Sequence, residues 1–258
     1  ARSIGLLGST GSQAYLSRAA RAEAVAAAVG AARGLPVGVG IGAPALAEVL
    51  ENMADAAGAG AAAGLLAPVT YQPLREEEVF ALYRLVSAEA ALPVILYNNP
   101  RTTKVTFSPA LIARIAALPG VVAVKMPPHP EPAEDIAGLR AALPQTVALG
   151  YSGDSQIIGA LRGGVDLWFS VLGGLFPEVC AAMMAAARAG AEADLAALDA
   201  RLAPLWRVFD ALGSYRVMHA AAEMAGYGPT PPPLPVLALE GEERATVAAA
   251  LKQAELLA

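Results

Sequence analysis

Lysine, histidine and cysteine are all scarce in this chain, and each scarcity narrows its chemistry. Of 18 basic residues only Lys104, Lys125 and Lys252 carry an amine, and arginine supplies the rest. The one cysteine, Cys180, excludes an internal disulfide and suits a reducing cytoplasm. It lies in Pro177–Met183, which reads as a buried helical face, so it is expected in the core rather than as a nucleophile. The two histidines, His129 and His219, share no ligand spacing with a cysteine or carboxylate cluster, and no zinc site is expected. His129 stands among prolines and reads as a solvated turn. No block of basic residues interrupts a net charge of −5, which argues against a nucleic-acid or anionic-membrane surface. The longest apolar runs are broken by glycine, proline or charge, so none reads as a membrane span. Ala1 to Leu7 lacks the charged start and long apolar stretch of a signal peptide, and a cytoplasmic location is expected.

Apolar residues, in contrast, are abundant. At 56% hydrophobic and 16% charged, 258 residues suffice for a sizeable core in one large domain or two small ones. Short apolar runs recur at Ser3–Leu7, Pro36–Ile41, Gly64–Val69, Pro93–Leu96, Val121–Val124, Thr146–Leu149 and Val165–Val171. They are nearly continuously apolar rather than alternating, as strands of a parallel sheet covered by helices must be. Between them lie helical patterns at Ser17–Arg33, with Ser17 a candidate N-cap, then Ala45–Ala57, Glu76–Ala91, Ser108–Leu118, Ala133–Leu143 and Pro177–Ala189. Repeated strand–helix units mean an α/β fold.

Seven strands are one short of a closed (β/α)8 barrel. The expectation is a TIM barrel of strands 2 to 8 over residues 1–190, with the first strand–helix unit absent from this sequence. An open doubly wound sheet is the alternative, since seven strands suit it directly. Residues 191–258 turn wholly helical at Ala191–Leu212, Tyr215–Ala225 and Gly241–Leu257, with a rigid proline connector at Pro229–Pro235. They read as a helical C-terminal region packed on the barrel.

Three polar clusters directly follow strands, and in a parallel barrel such positions converge on the rim that carries active sites. Gly8-Ser9-Thr10-Gly11 offers hydroxyls and backbone N–H groups to a small anion, though the same residues make an ordinary tight turn. Tyr97 ends the fourth run and could relay protons, or simply cap the barrel as a half-buried aromatic. Lys125 stands 28 residues later, at the end of the next strand. A lysine amine deprived of solvation is more readily kept neutral, and a neutral amine condenses with ketones to a Schiff base. A lysine just past a strand is also commonly a solvated charge.

Taken together, the clusters resemble the dihydrodipicolinate synthase / N-acetylneuraminate lyase family of class I, pyruvate-type aldolases. Gly8-Ser9-Thr10-Gly11 with Tyr15-Leu16-Ser17 is similar to the family's Gly-Thr/Ser-Thr-Gly-Glu pattern and trailing Leu-Ser/Thr. Tyr97-Asn98-Asn99-Pro100 is similar to its Tyr-Asn-x-Pro, Val124-Lys125 to its Schiff-base lysine, Ser152-Gly153-Asp154 to its Ser-Gly-Asp, and Gly163-Gly164 through Phe169-Ser170-Val171 to its Gly-rich last strand. The resemblance covers essentially the whole chain. It implies that Lys125 forms an imine with pyruvate or another 2-oxo acid and that Tyr97 shuttles protons. Ser9, Thr10 and the backbone near Gly11 would hold the carboxylate. It also implies C–C bond making or breaking with an aldehyde, no metal or organic cofactor, and a homo-oligomer, a dimer or tetramer.

Three positions depart from the family pattern. Its glutamate after Gly-x-Thr-Gly is Ser12 here. Its arginine in Tyr-Asn-x-Pro-x-Arg-Thr is Thr102, with Arg101 one place earlier. Its Pro-Tyr-Tyr, which supplies a tyrosine to a neighbouring subunit, is Pro68-Val69-Thr70-Tyr71. Thr70, Tyr71 and Arg101 are therefore candidate substrate-binding residues, with Asp154 and Phe169 lining the outer pocket. An aspartate after glycine also commonly caps the next helix, here one starting near Ser155. Trp168, adjacent to Phe169, is expected to face outward. Two other readings stand beside the aldolase. One is a phosphate-binding barrel enzyme using Gly163-Gly164 and Gly173-Gly174, with Lys125 as a charge partner. The other is a non-catalytic 2-oxo-acid-binding protein of the same fold.

Overall fold

The computed structural model of the protein describes residues 1–257. Seven strands form one sheet: β1 (Ile4–Leu6), β2 (Val37–Gly40), β3 (Ala63–Leu66), β4 (Val94–Tyr97), β5 (Val121–Met126), β6 (Ala148–Tyr151) and β7 (Leu167–Trp168). Each pairs in parallel with the next in chain order. Sequential parallel order is that of a (β/α) barrel and not of a doubly wound sheet, whose order reverses at a switch point. β3 is buried at every position, and β2, β5 and β6 at all but one each, which accounts for their continuous apolar runs.

The helices are α1 (Arg18–Ala31), α2 (Leu46–Gly58), α3 (Glu76–Glu89), α4 (Pro100–Thr103), α5 (Pro109–Ala116), α6 (Pro132–Ala142), α7 (Ile157–Arg162), α8 (Pro177–Ala189), α9 (Glu192–Leu212), α10 (Ser214–Met224) and α11 (Gly241–Gln253). Ser17 caps α1 as expected, its hydroxyl accepting from Ala20 N at 3.2 Å. Ser108 does the same for α5, accepting from Leu111 N at 3.1 Å.

Contacts along the chain define two compact units. Residues 2–152 with 165–169 hold all seven strands and α1 to α6. Residues 153–164 and those from Ser170 onward, with Ala1, hold α7 to α11. Within the helical unit α9 packs against α8, α10 and α11. The proline connector is tied down there. Thr230 donates its N–H to Glu223 (3.1 Å) and its hydroxyl to the His219 carbonyl (3.0 Å), while Arg244 on α11 reaches Glu223 at 2.9 Å.

Two local differences from the expected elements have physical causes. The last strand was expected over Val165–Val171, yet the ladder is short. Asp166 N and Phe169 N bond to the Leu149 and Tyr151 carbonyls, but beyond Phe169 the backbone turns away. Val171 N and Leu172 N donate instead to the buried Asp154 carboxylate, at 2.9 and 2.8 Å. Asp154 thus holds the loop after β7, and stands at the first position of its 3-10 turn, which Gly153 precedes as N-cap residue. The second difference is α4, a single turn inside a segment read as loop. It begins on Pro100, whose fixed φ suits the first helical position.

One feature of the fold bears directly on the site. Leu7 leaves β1 with φ +54°, and its carbonyl packs so tightly on β2 that a Cβ at Gly40 would lie 1.8 Å from it. Only glycine fits there. The buried Arg21 guanidinium secures the same region, donating to the Gly40 carbonyl (2.7 Å) and the Gln13 carbonyl (3.2 Å). Burial lowers its pKa from the ordinary arginine value. Gln13 in turn donates to the Gly42 carbonyl. The segment carrying Ser9 and Thr10 is therefore held at both ends.

Candidate active site

Lys125 and Tyr97 are in-register neighbours on β5 and β4, and Gly150 on β6 is the partner of Lys125 on its other side. This alignment depends on an irregularity. Val94 pairs with Val121 but Ile95 with Ala123, so Val122 is an extra residue in β5. Without that bulge Tyr97 would lie beside Val124. With it, the Lys125 amine lies 3.7 Å from the centroid of the Tyr97 ring.

The amine is buried, 8% of the residue being exposed, and its ring contacts are to Tyr97 and, at 5.3 Å, to Phe169. Among the described residues no carboxylate pairs with it. Phe169 reaches this position across Gly150, where an added Cβ would stand 2.6 Å from the Phe169 ring. Gly8 also adjoins the amine. A Cβ there would meet nothing within 4 Å except the Lys125 amine at 4.0 Å, so open space adjoins the nitrogen.

Above the tyrosine ring the hydroxyls converge. Ser9 Oγ lies 3.3 Å from Tyr97 Oη and 3.5 Å from Thr102 Oγ1. Asn99 Nδ2 donates to both Ser9 Oγ and Tyr97 Oη, each at 2.9 Å. Ser9, Thr10 and Gly11 form an exposed 3-10 turn, closed by Gly11 N donating to the Gly8 carbonyl. Tyr83 holds the strand ends that carry the site. Its buried hydroxyl donates to the Leu66 carbonyl of β3 and accepts from Tyr97 N of β4 at 3.3 Å. Burial drives that phenol's ionisation well above its ordinary value.

The sequence profile of the Dihydrodipicolinate synthetase family matches residues 1–254. The chain belongs to that family. A 4-hydroxy-tetrahydrodipicolinate synthase of Synechococcus elongatus is 32% identical over 186 residues, covering 71% of this chain and 61% of the relative. The chain thus spans less than two thirds of that relative's length. The enzyme of the same name from Hyphomonas neptunium is 32% identical, covering 81% of this chain and 71% of the relative. A solved dihydrodipicolinate synthase of Agrobacterium tumefaciens superposes with TM-score 0.95 at 42% identity, covering 98% of this chain and 86% of that one. The Aquifex aeolicus enzyme, at 23% identity and TM-score 0.91, covers 98% and 87% and speaks for the fold alone. The fold is accordingly the family's (β/α)8 TIM barrel, of which seven strands are present among the described residues.

Within this family frame the remaining candidates fall into two groups. Lys125, Tyr97, Ser9 and Phe169 are brought together by direct contacts. Thr70 donates its hydroxyl locally to the Gln72 carbonyl, and Tyr71 is 94% exposed. Arg101 is exposed on α4, its carbonyl accepting from Lys104 Nζ at 2.9 Å. Asp154 is engaged by the backbone of Val171 and Leu172 and by the Ser170 hydroxyl at 3.1 Å. Asn99 and Thr102 join the hydroxyl group although neither was singled out as a site residue. Asn99 fills the variable place of Tyr-Asn-x-Pro, where residue type alone signals nothing. Cys180 is buried and 3.4 Å from Ser170 Oγ, and burial pushes its thiol up to about 12. No group of three His, Cys, Asp or Glu able to hold a metal occurs among the described residues, and none of their helices is long and apolar enough to cross a membrane.

Proposed function

We propose that this protein is a Schiff-base aldolase or lyase acting on pyruvate or another 2-oxo acid, making or breaking a C–C bond to an aldehyde. The observation that carries the reading is the buried Lys125 amine, flanked by aromatic rings, unpaired with a carboxylate and open on its Gly8 side. Family membership supports it.

The unprotonated amine adds to the C2 carbonyl, and its surplus proton passes to the oxygen. The resulting hydroxyl takes a further proton and leaves as water, which gives a protonated imine. That cation accepts the electron pair left when C3 loses a proton, forming an enamine. The enamine carbon adds to the aldehyde carbon as a proton reaches the aldehyde oxygen, and hydrolysis restores the amine. Cleavage is the reverse sequence. Tyr97 Oη is the proton carrier, and Ser9, Thr10 and the turn to Gly11 receive the carboxylate. Thr70, Tyr71 and Arg101 are further substrate-binding candidates, with Asp154 and Phe169 towards the outer pocket. A homo-oligomer in the cytoplasm, a dimer or a tetramer, is part of this reading, and sedimentation velocity tests its oligomeric side.

Incubation with 2-oxo acids followed by borohydride reduction and peptide mass mapping is the direct test. A reduced adduct on Lys125 is expected, and its loss in Lys125→Met. Absence of an adduct with every 2-oxo acid tried would count decisively against the mechanism. The phosphate-barrel alternative draws no support from its glycine pairs, since Gly163 and Gly164 close α7 and Gly173 and Gly174 lie in a 3-10 turn.

A further inference from the structure

The hydroxyl group above Lys125 contains a residue whose placement departs from its ordinary local behaviour. Asn99 is the residue that precedes α4, where an asparagine side chain normally accepts from the backbone N–H groups of the first turn. Here it makes no such bond. The turn is instead closed on the Asn99 carbonyl, which accepts from Thr102 N (3.1 Å), Thr103 N (3.0 Å) and the Thr103 hydroxyl (2.9 Å). The backbone of Asn99 is thus fixed while its side chain turns away, to donate to Ser9 Oγ and Tyr97 Oη at 2.9 Å each.

The donor identity has a chemical consequence. An amide nitrogen has two hydrogens and no acceptor capacity, so two bonds consume it fully. Each hydroxyl oxygen accepts one of those hydrogens and keeps its own. With Ser9 and Tyr97 only 3.3 Å apart, one of them can donate to the other, and the second retains a free O–H. If the Ser9 hydrogen goes to Tyr97, the phenolic hydrogen is left for the space beside Lys125. An acceptor at position 99 would do the reverse and draw both hydroxyl hydrogens to itself.

We propose that Asn99 is a positioning residue for proton transfer, holding the hydroxyls of Ser9 and Tyr97 from a single amide donor within the same chain. The assignment rests on the aldolase reading of Lys125. It adds that a further member of the hydroxyl group comes from the α4 entrance, two residues beyond Tyr97 in the same chain. In the step concerned, the hydroxyl left on C2 takes a proton from Tyr97 Oη and departs as water. The phenolate, stabilised by the Asn99 N–H, later takes back a proton from C3 as the enamine forms. One proton leaves the tyrosine and one returns.

The test uses the whole protein with pyruvate and 2-oxobutanoate as probes. Two rates are followed: borohydride-trapped adduct formation at Lys125, and exchange of the C3 hydrogens in deuterated water. Asn99→Leu, which removes the donor at similar size, is expected to slow both rates about ten- to a hundredfold with the half-saturating probe concentration unchanged. Asn99→Asp, which replaces the donor by an acceptor of the same shape, is expected to be slower still and to show an altered pH–rate profile. Combining Asn99→Leu with Tyr97→Phe is to give less than the product of the two single effects, because both act on one oxygen. Circular dichroism and melting of each variant establish that the fold is intact. A wild-type adduct accompanied by unchanged rates in both Asn99 variants, or by fully multiplicative effects with Tyr97→Phe, overturns the role of Asn99 and leaves the aldolase reading standing. A wild type that forms no adduct and exchanges no hydrogen overturns both.

Discussion

A lysine amine held between two aromatic rings with no carboxylate partner is poor for stability and useful for chemistry. The contact with the Tyr97 ring at 3.7 Å is of cation–π type, which offsets only part of the cost of removing an ammonium from water. Lys125→Met keeps the length of the side chain and removes the charge. It is expected to abolish the borohydride-trapped adduct while raising stability by about 0.5–2 kcal/mol, the usual trade at a functional site. Thermal melting decides the second part, and a lower melting temperature would contradict it. Gly150 matters for the same site from the other side. Gly150→Ala places a methyl 2.6 Å from the Phe169 ring and 3.1 Å from the Leu167 carbonyl. A loss of about 1–3 kcal/mol is expected from overpacking, together with slower adduct formation as Phe169 is displaced from Lys125. Unchanged kinetics would separate Phe169 from the reaction. Lys125 was legible in the sequence because its position after an apolar strand is a pattern of residue types. Asn99 was not, because its bond to Ser9 closes only when the segment after β1 is brought beside the end of β4 by the fold.

At the scale of the element, the strand ends are the parts that must be rigid. Tyr83 on α3 bonds to β3 and β4 at once, and its ring meets Phe107 edge-to-face with centroids 6.0 Å apart. Tyr83→Phe keeps that packing but removes the buried hydroxyl that bridges the two strands. The cost expected is about 0.5–1.5 kcal/mol, read from urea unfolding. Asp154 has the corresponding role in the loop after β7, where one carboxylate takes two backbone N–H groups and a hydroxyl. The strands were readable from their apolar runs to within one to three residues for most of them. The last one is far shorter than its apolar run, since the backbone there follows a buried aspartate from another segment and not its own side-chain pattern. The turn α4 escaped notice for a related reason: four residues hold too little periodicity to register.

For the whole molecule, the response to pH follows from which groups the fold perturbs. Burial raises the thiol of Cys180 from 9.0 to about 12, and it raises the phenols of Tyr83 and Tyr151 above 10.0, the latter also through its bond to Asp135. Raised groups contribute stability that is complete below their unfolded values and is lost as pH climbs towards the folded ones. The melting temperature is therefore expected to fall steeply above about pH 9. A flat profile into strongly alkaline solution would contradict it. On the acid side Asp55, Glu77, Glu192 and Glu223 are held below the ordinary carboxylate range: the first three chiefly by bonds from Arg18, Arg114 and Arg162, and Glu223 by the Thr230 N–H and then Arg244. Their contribution is present above the unfolded values and lost as pH falls through the folded ones. These pairs lie near the surface, so that limb is expected to be shallow and sensitive to salt.

By itself the sequence determined the fold class, the strand count and the nucleophile candidate, because each of these is written in local order: apolar runs, their alternation with helical segments, and a lysine at a strand end. Only the tertiary structure decided which side chains meet. The extra residue at Val122 brings Lys125 beside Tyr97, Gly150 admits the Phe169 ring, and the entrance to α4 carries Asn99 to Ser9. Register, bulges and close approaches arise from pairing between segments distant in the chain, so no local pattern encodes them. The scarce lysine could be picked out from its neighbours in sequence, and its partners only from its neighbours in space.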